Sequence, residues 1–498
     1  MNWTKEQQRA IEEQGNLIVS AAAGAGKTAV LTERVVRLVE GGMDVDRLLI
    51  LTFTRAAAAE MKERIQNTLQ QRAVAAEDDG LRLRLYRQSA RCSNASISTI
   101  HAFCARVVNR YFHLVGLSPS AATLDETESA VLRDQAVDEA LTVLATEDAA
   151  AYRLLLRAFE REEGIKKALA GLTGFLMAQP DPAGWLDRAE QALVSREAYD
   201  RAVEVCFLED RATFEAALAD LVRLRNGYPP AWGKLIAYLD EPIAHGRGAL
   251  LQGTPDAYAQ ALSAVAFGRL PVIKDMEARD KEALTDARDR VKKEAQRQCE
   301  TYGQDGEKLW QIHLKSAQVL LALTGLWRRQ QSVYDRLKRD RDRIDFNDLE
   351  HFCAKILEND EAAAEYRTRF AAIIVDEYQD SNAVQEAILN RIKRDDNLFF
   401  VGDVKQSIYG FRMAEPGLFL EKLRIFTGEA GSRIDLSHNF RSSPEILDAV
   451  NRVFEKLMQP GQSPIEYDAK AALRPGMDQP EGAVELHLIE KKPDTHDE

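Results

Sequence analysis

Ala21-Ala22-Ala23-Gly24-Ala25-Gly26-Lys27-Thr28 is the stretch on which the reading of this 498-residue chain turns. It follows the apolar run Leu17-Ile18-Val19 and leads into Ala29-Val30-Leu31, so it reads as a turn between a buried strand and a helix. A glycine-containing turn ending in Gly-Lys-Thr can cradle phosphate. Backbone N–H groups and the helix N-terminus face the anion, Lys27 adds a point charge, and Thr28 offers its hydroxyl to Mg²⁺. Ala21 stands where such loops usually begin with glycine. The alternative is a small-residue turn with no ligand, and the rest of the chain must decide.

Composition narrows the class. Apolar residues make up 45% and charged residues 29%, as in ordinary globular domains, and the length suits roughly three of them. Five scattered cysteines without a Cys-x-x-Cys pair argue against a disulfide framework or zinc site and fit a reducing cytoplasm. No signal peptide or 18-residue apolar run is visible, so no membrane span is expected. The net charge of −13 does not advertise nucleic-acid binding, but a local basic groove would suffice.

Residues 1–115 alternate short apolar runs with helical patterns, the texture of a parallel α/β sheet, with strands expected at Leu17–Ser20, Leu48–Phe53 and Ser96–Thr99. Residues 116–344 carry long helical periodicity, broken near Gln179–Gly184, Gly227–Gly233 and Gly246–Pro255; the charged run Lys281–Gln298 reads as a solvated helix. The α/β texture returns over 345–430, with strands at Ala371–Val375 and Leu398–Val401 and a further one including Ile434. This pattern predicts one nucleotide-binding domain interrupted by a helical one. Another domain is expected to begin at 431, with a strand at Ala483–Ile489.

Asp376 and Glu377 end a five-residue apolar run, where open α/β sheets place ligand groups. Asp376 suits Mg²⁺ and Glu377 an attacking water; a plain acidic helix start is the alternative. Gln406 can bond both a γ-phosphate and that water. Tyr409 and Phe411 offer stacking faces or are core residues, and Arg412 offers a phosphate contact. Phe53, Thr54 and Arg55, and His101 and Phe103, sit at strand-to-helix turns that suit DNA backbone contacts and base stacking, or ordinary capping and packing. Arg441 can neutralise charge on a transferring phosphoryl group, and Phe440 can stack on adenine; Ser442-Ser443-Pro444-Glu445 also reads as a helix start.

Taken together, these stretches resemble the superfamily 1 DNA helicases of the UvrD/Rep type. Thr4–Gln7 is similar to their adenine-reading motif, with Gln7 on the base, and alanine at the position of Ala21 is common among them. The resemblance implies ATP and Mg²⁺ as cofactors. It assigns Ala21, Ala22, Ala23, Gly24, Ala25, Gly26, Lys27, Thr28 and Arg34 to the nucleotide, and it implies 3′ to 5′ movement on single-stranded DNA. Val19–Gly24 and Asp345-Phe346-Asn347-Asp348-Leu349 look most similar to the AddA helicase–nuclease subunits, with RecB-type next. An AddB-like partner, duplex DNA and double-strand-break processing would follow. A stand-alone repair helicase, or a module that only binds ATP and DNA, are the alternatives. Arg55 replaces the usual asparagine and Phe411 the usual tryptophan. No later helicase motif or nuclease motif follows Ser442, so the N-terminal part of a longer protein is expected.

Overall fold

The computed structural model describes residues 3–273, 276–458, 465, 467–468, 471–477 and 482–487. Six parallel strands form one sheet: β1 (Leu17–Ala21), β2 (Leu48–Thr52), β3 (Ser96–Thr99), β4 (Ala372–Val375), β5 (Leu398–Gly402) and β6 (Ser432–Leu436). Their order across the sheet is β3-β2-β4-β5-β1-β6. The inner strands are almost wholly apolar because helices cover both faces. Helices Lys5–Glu12, Lys27–Glu40 and Arg55–Ala75 close over Leu17, Val19, Ile50 and Phe399. Helices Ile100–Tyr111, Phe346–Ile356 and Ala383–Ile392 close over Ile18, Leu49, Ile373 and Phe400. Because β4, β5 and β1 are neighbours, residues hundreds of positions apart in sequence arrive within two strand spacings at their carboxyl ends.

The expected helical insert forms two bundles. Helices Glu126–Glu147, Ala149–Phe159, Glu162–Met177 and Pro182–Leu193 pack on the long helix Gly306–Arg339. Helices Arg196–Gly227, Gly233–Leu250, Pro255–Leu262 and Ala278–Tyr302 make the second. Two of the three expected breaks fall at helix ends. At the third, Gly246 stays inside its helix and the break follows Leu250. A Cβ on Gly246 would stand 2.9 Å from Leu218 Cδ2, so this glycine serves close packing. The charged run Lys281–Gln298 is not solvated all round: Leu284, Ala287, Val291 and Ala295 form a buried stripe.

A buried polar cluster roots the insert in the sheet domain. Lys338 Nζ lies 2.7 Å from both carboxylate oxygens of Asp348. Asp345 accepts from Arg133 at 3.0 Å and from the Tyr334 hydroxyl at 2.9 Å. Asp345 and Asp348 also cap each other reciprocally and start helix Phe346–Ile356.

The boundary expected at 431 is corrected. Ser432–Leu436 pairs in parallel with β1, from Leu17↔Ser432 to Ala21↔Leu436, and so belongs to the first sheet. Its alternation, with Ile434 and Leu436 buried, marks an edge strand covered on one face. Of the strand expected at Ala483–Ile489, residues 483–487 are irregular and the remainder lies outside the described residues.

Candidate active site

Two glycines in the left-handed region, Gly24 (φ 71°) and Gly26 (φ 79°), shape the loop after β1. Gly26 caps helix Lys27–Glu40 without a side chain, so the helix's first N–H groups are left to an external acceptor. Ala21 is the last residue of β1. Extended backbone needs no glycine, which explains the alanine.

Lys27 Nζ lies 2.8 and 2.7 Å from the two oxygens of Glu377. Glu377, just past β4, holds the left-handed conformation (φ 54°), a costly one for a non-glycine residue and a mark of functional constraint. Burial, then the Glu377 charge, pushes the Asp376 carboxyl up to about 6, with Lys27 opposing. The same two causes push Asp380 up to about 6, and its Oδ1 is buried without a hydrogen-bond partner. Three carboxylates therefore share one lysine, an excess of negative charge that suits a divalent cation.

Gln379, buried, ties this cluster to the end of β5. Its Nε2 donates to Glu377 at 2.9 Å, and its Oε1 accepts from the Asp403 N–H at 3.0 Å. A Cβ on Gly402 would stand 2.3 Å from that Oε1, so only glycine fits there. Asp403 in turn holds Lys405 Nζ at 2.9 Å and Gln406 Nε2 at 2.8 Å. The Gln406 amide is thus turned toward Asp403.

The segment after β6 supplies a third wall. Asn439 Nδ2 donates to the Ala23 carbonyl at 2.7 Å, and the Phe440 N–H donates to the Gly24 carbonyl at 2.9 Å. Asn439 Oδ1 accepts from the N–H groups of Arg441 and Ser442, both at 2.8 Å. A Cβ on Gly24 would lie 3.0 Å from the Arg441 Cβ, so the arginine backbone borders the loop. The Phe440 ring rests on Gly476, where an added Cβ would approach it to 2.6 Å. Gln7 Nε2 donates to the Ala25 carbonyl at 3.1 Å, placing helix Lys5–Glu12 beside the loop.

Two assignments are corrected. Arg34 is buried away from the cradle: it donates to the carbonyls of Ala10 and Glu13 at 2.9 and 2.8 Å and lies over the Phe399 ring. Burial lowers its guanidinium to about 10. It positions helix Lys5–Glu12 by closing that helix's C-terminal end. Phe103 is a core residue, 1% exposed and edge-on to Tyr366, and has no face to offer a base.

The other aromatics do converge. Phe53 and Tyr409 have centroids 4.5 Å apart, and Tyr409 and Phe411 5.6 Å, with Phe411 73% exposed. Arg55 is exposed beside them in sequence, opening helix Arg55–Ala75, whose cap is the Thr54 hydroxyl. His101 sits apart, 3.3 Å from Glu350 and edge-on to Phe346. The Arg412 side chain lies outside the described residues.

Gln379 and Asn439 fall within the sequence motifs, yet their roles appear only in three dimensions. The signal available was an uncharged amide next to a carboxylate run or a glycine-rich loop, which carries no chemistry until its partner is known.

A phosphate cradle, a carboxylate pair on the neighbouring strand end and a glutamine on the next define a P-loop nucleotide-binding fold. The model of the UvrD/REP helicase N-terminal domain matches residues 3–427, and the chain belongs to that family. It is 37% identical over its whole length to the AddA subunit of the ATP-dependent helicase/nuclease of Alkaliphilus oremlandii, covering 43% of that protein. The protein of the same name from Syntrophomonas wolfei is 37% identical over 96% of the chain and 40% of its own length. That from Geobacillus thermodenitrificans is 36% identical over 98% and 42%. The chain spans about two fifths of the length of these relatives. Among the described residues no helix is long and apolar enough to cross a membrane.

Proposed function

We propose that this chain carries the ATP-binding and DNA-tracking half of an AddA-like helicase, acting in the cytoplasm on broken DNA ends together with an AddB-like partner. The observation that carries the reading is the convergence of Lys27, Asp376, Glu377 and Gln406 around one anion cradle. In this reading the loop N–H groups and Lys27 hold the β- and γ-phosphates, and Lys27 exchanges Glu377 for phosphate. The freed Glu377, still oriented by Gln379, takes the proton of the attacking water. Gln406 leaves Asp403 for the γ-phosphate, and Arg441 offsets charge as it transfers. Thr28 and Asp376 would hold Mg²⁺, which supplies charge neutralisation between the phosphates. Phe53, Tyr409 and Phe411 give single-stranded bases a stacking track, with Thr54, Arg55 and His101 beside it, and family resemblance gives the 3′ to 5′ direction.

Hydrolysis of ATP with and without single-stranded DNA tests the assignment. Lys27→Ala and Glu377→Gln are each expected to remove DNA-stimulated turnover, by about 10²-fold or more for the glutamate. Undiminished turnover in either variant rejects it.

A further inference from the structure

Two locally unfavourable choices face each other where the helical insert meets the sheet domain. Met413 closes the turn Gly410–Arg412 at φ 58°, where a residue other than glycine costs on the order of 1 kcal/mol. Gly174 lies inside helix Glu162–Met177, where glycine costs about 1 kcal/mol relative to alanine. A Cβ on Gly174 would stand 3.1 Å from the Met413 Cε methyl. The glycine opens a notch and the strained methionine fills it. Glycine at 413 and alanine at 174 would each be cheaper alone, and paired violations of local preference are expected where function demands them.

We infer that Met413 is a coupling residue, which bolts the loop bearing Gln406, Tyr409 and Phe411 to the insert helix Glu162–Met177. The inference rests on the nucleotide reading of the site and extends it to the insert. The loop is stiff enough to transmit a displacement, because Val404–Gln406 and Gly410–Arg412 are both tight helical turns. One end answers to the nucleotide through Gln406 and Asp403. Its middle is packed on Phe53 through Tyr409. Its far end meets the insert at Gly174. The same insert helix is held from a second side, where His351 Nε2 lies 3.0 Å from the Met177 carbonyl oxygen. A shift of Gln406 toward a γ-phosphate therefore reaches both the stacking track and the insert.

Amide hydrogen exchange of the 498-residue chain, with and without Mg²⁺ and a non-hydrolysable ATP analogue, tests this. In the parent, residues 24–28 and residues 171–177 should both change protection when the analogue binds. Met413→Gly relieves the backbone strain and should fold at least as well; it should keep the response at 24–28 and lose that at 171–177. Met413→Leu, which keeps an apolar side chain over the notch, should retain both. An equal response at 171–177 in Met413→Gly overturns the coupling. So does a parent that responds at 24–28 but not at 171–177, and that result leaves the nucleotide site standing. No response at 24–28 in the parent removes the nucleotide reading itself, and the coupling with it.

Discussion

Lys27 and Lys338 are each held by both oxygens of one carboxylate, at 2.7 to 2.8 Å, yet the two pairs stand in opposite settings. Lys338 is 4% exposed, has Asp335 as a second partner at 3.2 Å, and lies 4.4 Å from the centre of the Tyr334 ring. Its carboxylate, Asp348, is fixed in turn by the Asp345 backbone N–H. Glu377, the partner of Lys27, is 34% exposed and stands on a single residue of left-handed backbone. Bond length does not separate a structural ion pair from a resting one. What separates them is whether another anion can reach the lysine and whether the displaced carboxylate can go to water.

Replacing each lysine with methionine is the sharpest way to break that comparison. Lys338→Met strands two buried carboxylates and should cost about 3–5 kcal/mol in chemical denaturation. Lys27→Met should cost under about 1 kcal/mol, because Glu377 can turn to water. Equal costs would erase the distinction. Next in size is the effect of ligand: at a hundredfold excess over its Kd, a non-hydrolysable ATP analogue with Mg²⁺ should stabilise the parent by about 2.7 kcal/mol. The gain should vanish in Lys27→Met, as read by denaturation midpoint. Phe411→Ala should lose about 1–3 kcal/mol of single-strand affinity in a fluorescence-anisotropy titration, with little change in stability. Smallest is Gln379→Ala, which leaves the Asp403 N–H without its acceptor and should cost about 1–2 kcal/mol of stability. It should also slow ATP turnover more than it weakens nucleotide binding, since Glu377 loses its orienting amide.

Much of the site is legible in the sequence. Strand ends carrying charged or amide groups mark a parallel sheet's ligand edge, so Lys27, Asp376 and Gln406 can be placed by pattern alone. The strand at Ser432–Leu436 is visible in the same way, but its membership is not. A sheet edge and the start of a new domain look alike until pairing with β1 is seen. Arg34 misleads because a cation one helix face from a phosphate loop reads as a ligand. Only the carbonyls of Ala10 and Glu13, supplied by another helix and its end, show what satisfies it. Phe103 misleads for a related reason: an aromatic at a strand-to-helix turn has two faces available to it, and periodicity cannot say that Tyr366 fills the inner one.

Asn439 and Phe440 are stitched to the carbonyls of Ala23 and Gly24, and Arg441 is the next residue along. Its Cα can stray no more than about 3.8 Å from an anchored neighbour. Whatever is carried beyond it must therefore rotate about the phosphate loop as a fulcrum rather than travel toward it. Hinge and cradle share the same hydrogen bonds, so a phosphate that firms the loop also stiffens the axle on which the next body turns.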